Sequence, residues 1–127
     1  ESMPLANGDI ILVPFPFTDL SQTKLRPAVV LWADSKGQDV TLCFISSQNI
    51  DRLTANEFEI AATDPQFSMT GLKVTSKVRV TRVVTLERRL LQRRLGRLGD
   101  RLMPRLDQVL RNAFQLGSAP ETMAGGD

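Results

Sequence analysis

The chain contains no histidine and no tyrosine, and its 127 residues include one cysteine, Cys43, and one tryptophan, Trp32. Without imidazole there is no histidine acid–base catalyst and no Ser-His-Asp or Cys-His nucleophile, and zinc loses its commonest nitrogen ligand. A lone thiol makes neither an intrachain disulfide nor a metal cluster, so a reducing cytoplasm is the expected home. No apolar run approaches the ~20 residues needed to cross a bilayer, and the N-terminus shows no signal-peptide pattern. A membrane is therefore not an expected partner. What is present is ordinary: 42% hydrophobic and 24% charged residues place the chain among soluble globular proteins. Its length suits one domain over residues 1–127, with a core at about 7–116 and a flexible tail at 117–127.

The formal charge of +2 conceals an uneven distribution. Residues 1–70 carry four Lys/Arg against nine Asp/Glu, a balance of −5, whereas residues 71–127 carry twelve against five, a balance of +7. A basic half is a footprint suited to phosphates, but Arg-rich solvated faces are also common, and charge alone does not separate the two.

Short alternating β-branched segments fill the first two-thirds of the chain. Residues 9–17 (DIILVPFPF) read as a strand whose two prolines confine its second half to an edge or a bulge. Residues 27–33 (PAVVLWA) are almost continuously apolar, as in a strand buried on both faces, Trp32 included. A turn at 35–39 leads into residues 40–46 (VTLCFIS), which makes the pair a hairpin. Residues 57–60 (EFEI) and 77–84 (KVRVTRVV) alternate, each with one wet face, and residues 93–98 add a short last strand. The period then changes. Leu102, Leu106, Val109, Leu110, Ala113 and Phe114 trace one apolar helix face, with Asp100 as N-cap or Pro104 in the first turn, and Gly117 as the stop. Five to six strands and one C-terminal helix imply a mainly β, α+β fold, a small curled sheet or barrel partly covered by the helix. A barrel that small has little internal room, which puts any site on the outside or in an interface.

Arg26-Pro27 is the most informative dipeptide. Proline restricts the residue before it to extended backbone, so Arg26 is preset to project a cation with little backbone entropy left to lose. Its guanidinium fork matches two phosphate oxygens, although taken alone the pair is more commonly a plain loop arginine before a strand-starting proline. Ser46-Ser47-Gln48 follows the third apolar run, where two hydroxyls and an amide either bind phosphate or ribose or simply make a turn. Lys77, Arg79 and Thr81 share one parity of the fifth strand, opposite Val78 and Val80, a cationic face that solvent alone also accounts for. Arg82 has the apolar parity, so the strand ends or bulges there or holds Arg82 for a reason. The densest basic run is Arg88, Arg89, Arg93, Arg94 and Arg97, which would add sequence-independent affinity for nucleic acid or attract an acidic protein.

Gly8-Asp9-Ile10, Leu25-Arg26-Pro27-Ala28-Val29-Val30, Ile45-Ser46-Ser47-Gln48, Thr70-Gly71-Leu72 and Leu95-Gly96-Arg97-Leu98 occur in an order and spacing that resembles the MazF/PemK toxin family over residues 7–116. The resemblance implies an SH3-like small barrel of five to six strands, a homodimer, and single-stranded RNA in a groove across the dimer. It implies a toxin of a type II toxin–antitoxin pair, silenced by a short acidic antitoxin. It further implies RNA cleavage without a metal or other cofactor, by attack of the ribose 2′-hydroxyl, leaving 2′,3′-cyclic phosphate and 5′-hydroxyl ends. Arg26 matches the family's catalytic arginine, Ser46 replaces its catalytic-site threonine, and Ser47 and Arg79 match further functional positions. Gln22, Lys24, Gln48, Thr81 and Arg82 complete the expected RNA-binding set. Two carboxylates of other members are replaced, by Ser21 before Gln22 and by Thr81, and no good general base is visible. Two rival readings use the same fold. One is a non-catalytic RNA- or protein-binding module. The other is a CcdB-like gyrase poison, which relies on an apolar Trp-bearing C-terminus, whereas this chain ends Ala124-Gly125-Gly126-Asp127.

Overall fold

The computed structural model describes residues 4–15 and 24–117. Six strands form one antiparallel sheet: β1 (Asp9–Pro14), β2 (Leu25–Ala33), β3 (Asp39–Ser46), β4 (Glu57–Ile60), β5 (Ser76–Glu87) and β6 (Arg93–Arg97). Their order across the sheet is β4-β5-β3-β2-β1-β6, curled into a half-barrel, and helix α1 (Met103–Phe114) packs on the β4–β5 side. The expected mainly β fold with a C-terminal helix is the one observed. Alternation along the strands builds two apolar faces. Ile10, Val29, Cys43, Ile45, Val78 and Val80 point to the face that α1 covers with Leu106 and Val109. Ile11, Val13, Ala28, Val30, Leu42 and Phe44 point to the other face, where Leu91 closes a second cluster. By parity Arg26 and Ser46 belong to this second, helix-free face.

Bulges set the curl. The β3–β5 register slips by three residues between Cys43 and Ile45, so Arg79 to Arg82 stand opposite Phe44 alone. That is the irregularity expected at Arg82. The strand continues beyond it to Glu87, past the expected end at Val84. A slip between Val30 and Trp32 places an extra residue, Leu31, in β2. Leu31 packs on the core and Trp32 turns outward, 51% exposed, which overturns its expected burial. Strand β1 ends at Pro14, and Pro16, Phe17, Ser21 and Gln22 lie outside the described residues. The helix ends also differ from expectation. Leu102, not Asp100, occupies the N-cap, without a side-chain cap, and Pro104 sits in the first turn, where its missing N–H costs nothing. At the other end Gln115, not Gly117, takes the left-handed conformation (φ 57°) that stops the helix.

Two glycines fix the segment before β5. Gly71 (φ 75°) ends the 3₁₀ turn Phe67–Thr70, and a Cβ there would run into the Leu95 carbonyl of β6. A Cβ on Gly96 would in turn run into the Met69 carbonyl. The two motifs Thr70-Gly71-Leu72 and Leu95-Gly96-Arg97-Leu98, far apart in sequence, are therefore one backbone-to-backbone contact.

Candidate functional site

Arg26 lies inside β2, opposite Val13, half-buried. Its guanidinium carbon sits 4.9 Å from the centroid of Phe15, whose ring meets Phe44 edge-on at 5.1 Å. The two aromatics thus form a rigid floor that attracts the cation. The Arg26 Nε is buried without a hydrogen-bond partner, and no ion pair neutralises the side chain among the described residues. A desolvated N–H left unpaired is costly, so an anion arriving here gains both charge and hydrogen bond.

Arg26, Ile45 and Ser46 line two clefts at once. One, of about 250 Å³, is completed by Phe15, Phe44, Gln48, Arg79 and Arg82. The other, of about 300 Å³, carries Ser47, Lys73 and Arg93 over an apolar floor. Among the described residues neither has an acidic one in its lining. Ser46 Oγ accepts the Gln48 N–H at 3.0 Å, so it makes the turn and still keeps its own hydrogen to donate. Of the expected site residues, Arg26, Ser46, Ser47, Gln48, Arg79 and Arg82 reach one cleft or the other. Lys24 and Thr81 are exposed and line neither; Lys24 contributes its carbonyl to the Phe15 N–H at 2.9 Å. Gln22 lies outside the described residues.

The expected free cationic face of β5 is different in kind. Lys77 is 6% exposed, and its ammonium lies 3.2 Å from Glu57 while donating to the Asn49 carbonyl at 3.2 Å. Arg79 Nε donates to the other Glu57 oxygen at 3.0 Å. Glu57, read from the alternation of β4 as a wet residue, is buried instead, because it pairs opposite Arg79 beneath the bulge. Burial pushes its carboxyl up, but the Thr54 N–H, Lys77 and Arg79 outweigh this and hold it below its ordinary value. One carboxylate thus ties Arg79 of one cleft wall to the 46–49 turn of another, through Lys77. Sequence reasoning missed Glu57; the signal available was a glutamate in a strand otherwise occupied by buried Phe58 and Ile60. It also passed over Lys73.

Other groups are chemically quiet. Burial pushes the Cys43 thiol up to about 12, leaving no thiolate at neutral pH. A further cavity of about 450 Å³ lies between the N-terminal segment, β6 and α1, and includes neither Arg26 nor Ser46. Its Asp9 and Arg94 neutralise each other at 3.1 Å. Among the described residues no three His, Cys, Asp or Glu side chains gather where they would hold a metal, and no helix is long and apolar enough to cross a membrane.

A family model described as PemK-like, MazF-like toxin of type II toxin–antitoxin system matches residues 6–114. No curated protein matches in sequence. Among solved structures, the Mycobacterium tuberculosis toxin MazF-mt6 is similar, with 24% identity, a TM-score of 0.68, and coverage of 87% of this chain and 99% of that one. An endoribonuclease in complex with its cognate antitoxin, from a mycobacterial species, has 18% identity, a TM-score of 0.67 and coverage of 92% and 100%. Another mycobacterial endoribonuclease has 18% identity, a TM-score of 0.66 and coverage of 91% and 95%. At these identities the structural matches speak for the fold.

Proposed function

The chain belongs to the PemK-like, MazF-like toxins of type II toxin–antitoxin systems, and from that premise we propose that it is a metal-independent endoribonuclease cutting single-stranded RNA at a phosphate held by Arg26. The observation that carries this reading is the half-buried Arg26 guanidinium, its Nε unpaired, at the junction of two clefts with no acidic side chain among the described residues and beside the Ser46 hydroxyl. In the reaction the 2′-oxygen attacks phosphorus and the bond to the 5′-oxygen breaks. The 2′-hydroxyl loses a proton and the leaving oxygen gains one, giving a 2′,3′-cyclic phosphate and a 5′-hydroxyl. Arg26 neutralises charge developing on the phosphoryl oxygens, and Ser46 donates its hydrogen to the ribose or to a phosphate oxygen. Arg79, anchored by Glu57, adds charge from the far wall. Single strands suit this geometry because their bases splay, whereas a duplex resists in-line alignment.

The partners follow from the same premise: a short acidic antitoxin, since one structural neighbour is an endoribonuclease in complex with its cognate antitoxin, and a second copy of the chain across the groove. The cytoplasm is the fitting compartment. Cleavage of RNA in excess EDTA tests the reading. Cyclic-phosphate ends are expected, and Arg26→Ala lowers the rate by about 10²–10³-fold. Unchanged activity in that variant, or a requirement for Mg²⁺, removes Arg26 from the chemistry. A second reading, RNA binding without scission, draws on the absence of any carboxylate from the lining of either cleft among the described residues, in a chain without histidine. Glu57 is already committed to three donors, and arginine is a poor proton acceptor. Salt-sensitive binding with intact RNA would select it.

A further inference from the structure

Glu57 and Lys77 line neither cleft, and both side chains are buried, 5% and 7% exposed. Val78 and Val80 face the helix, so Lys77 and Arg79 stand on the helix-free face with Arg26 and Ser46, and Lys77 pairs directly opposite Ser46. Glu57 reaches the same face from β4, opposite Arg79. The loop between β3 and β4, residues 47–56, is exposed except for half-buried Ile50. Near its start the Asn49 carbonyl accepts from the Lys77 ammonium at 3.2 Å and from the Arg52 N–H at 3.0 Å. Asn49 itself is left-handed (φ 50°), a conformation that a non-glycine residue keeps where its surroundings impose it. Near the end of the loop the Thr54 N–H donates at 3.0 Å to the Glu57 oxygen that also meets Lys77. One ion pair therefore clamps both ends of the loop that carries Ser47 and Gln48, while the second Glu57 oxygen holds Arg79 at 3.0 Å.

Taking two charges out of water brings little net stability over an apolar pair of similar volume, so the worth of this pair lies in what it holds in place. We propose that Glu57 and Lys77 are positioning residues, which fix the Ser46–Gln48 turn and Arg79 in the arrangement about Arg26 that an in-line attack requires. The proposal rests on the reading of the Arg26 site as a ribonuclease centre. Neither residue touches RNA. They act through Ser46 and Arg79, where a displacement of about 1 Å costs on the order of 10²-fold in rate.

The experiment uses the double variant Glu57→Gln/Lys77→Met, which leaves no uncompensated charge in the buried pair and stays close to the wild type in urea melts, whereas Glu57→Gln alone does not. A role confined to stability would return activity with the fold. Positioning predicts otherwise. In cleavage of a fluorescent, mixed-sequence RNA in excess EDTA, with rates taken per folded molecule from the same melts, kcat of the double variant falls about 10²-fold. KM holds, because the phosphate still meets Arg26 and the loss falls on the transition state. Backbone amide relaxation by NMR supplies a readout free of activity: order parameters of residues 47–49 fall from roughly 0.85 to below about 0.6. Recovery of kcat together with stability, or a 47–49 turn as rigid as in the wild type, overturns the positioning role. A double variant that cuts like the wild type refutes this proposal and leaves the nuclease reading standing. Wild-type protein that leaves RNA intact in EDTA refutes the nuclease reading itself, and the positioning role with it.

Discussion

Replacing Glu57 by glutamine tests whether one buried carboxylate holds the site together. The substitution keeps the shape and removes the charge that faces Lys77 and Arg79 at 3.2 and 3.0 Å. The Glu57 and Lys77 side chains are only 5% and 7% exposed, so Lys77 would be left as an uncompensated buried ammonium. Breaking a buried pair from one side costs about 3–5 kcal/mol. The Arg79 side chain is 37% exposed and rehydrates, so its share is screened and adds little. The low end, ~3 kcal/mol, is therefore expected. For a chain of this size that is on the order of 10 °C in Tm. Urea melts followed by far-ultraviolet circular dichroism measure it at one fixed protein concentration; Trp32 fluorescence is a poor probe because that ring is already exposed. Adding Lys77→Met restores most of the loss, since neutral replacement of both partners is close to neutral in stability. A loss under about 1 kcal/mol, or no recovery in the double variant, would refute the argument that the buried pair carries this energy.

The same carboxylate sets an acid limit. Its folded value is lowered from the ordinary 4.5, so its stabilising contribution is complete above that pH and is lost as pH falls through the lowered value. Acid titration of unfolding should show the wild type and Glu57→Gln converging below pH 4.5; parallel curves would contradict the assignment. Gly71→Ala forces a side chain at φ 75° into the Leu95 carbonyl, and a destabilisation on the order of 2 kcal/mol is expected in the same urea assay. A Gly71→Ala protein as stable as the wild type would mean that the two segments do not touch. The Cys43 thiol, pushed up to about 12, should resist iodoacetamide at neutral pH until the chain unfolds; fast labelling of the native protein would show that β3 opens.

Local pattern and tertiary pairing divide what the sequence could tell. Alternation places Ile10, Val29 and Cys43 on one face and Ile11, Ala28 and Leu42 on the other, and the 3- and 4-residue spacing of Leu102, Leu106 and Val109 finds the helix face. Those periods are properties of adjacent residues, and they survive in the structure. Trp32 and Glu57 fail for a shared reason: each lies at a register slip or beside one, and a slip is decided by the partner strand rather than by the strand's own residues. The helix caps fail because Gly99 and Gln115, both weak signals, supply the carbonyl and the left-handed turn that Asp100 and Gly117 advertise.

The candidate site divides in the same way. Arg26 was legible because proline fixes the backbone before it, which is a local constraint, and Ser46 because an apolar run stops beside it. Glu57 and Lys73 were not, since their places come from residues 22 positions away on β5 and across the Gly71–Leu95 contact. The family motifs carry this non-local information in disguise. Thr70-Gly71-Leu72 and Leu95-Gly96 are short and unremarkable when read singly, yet each glycine is required by the carbonyl of the other segment. A substitution at either is therefore a change at the contact that shapes the Lys73–Arg93 cleft. In urea melts Gly96→Ala should accordingly destabilise the fold as Gly71→Ala does, whereas Arg26→Ala, which leaves that contact standing, should cost less than either.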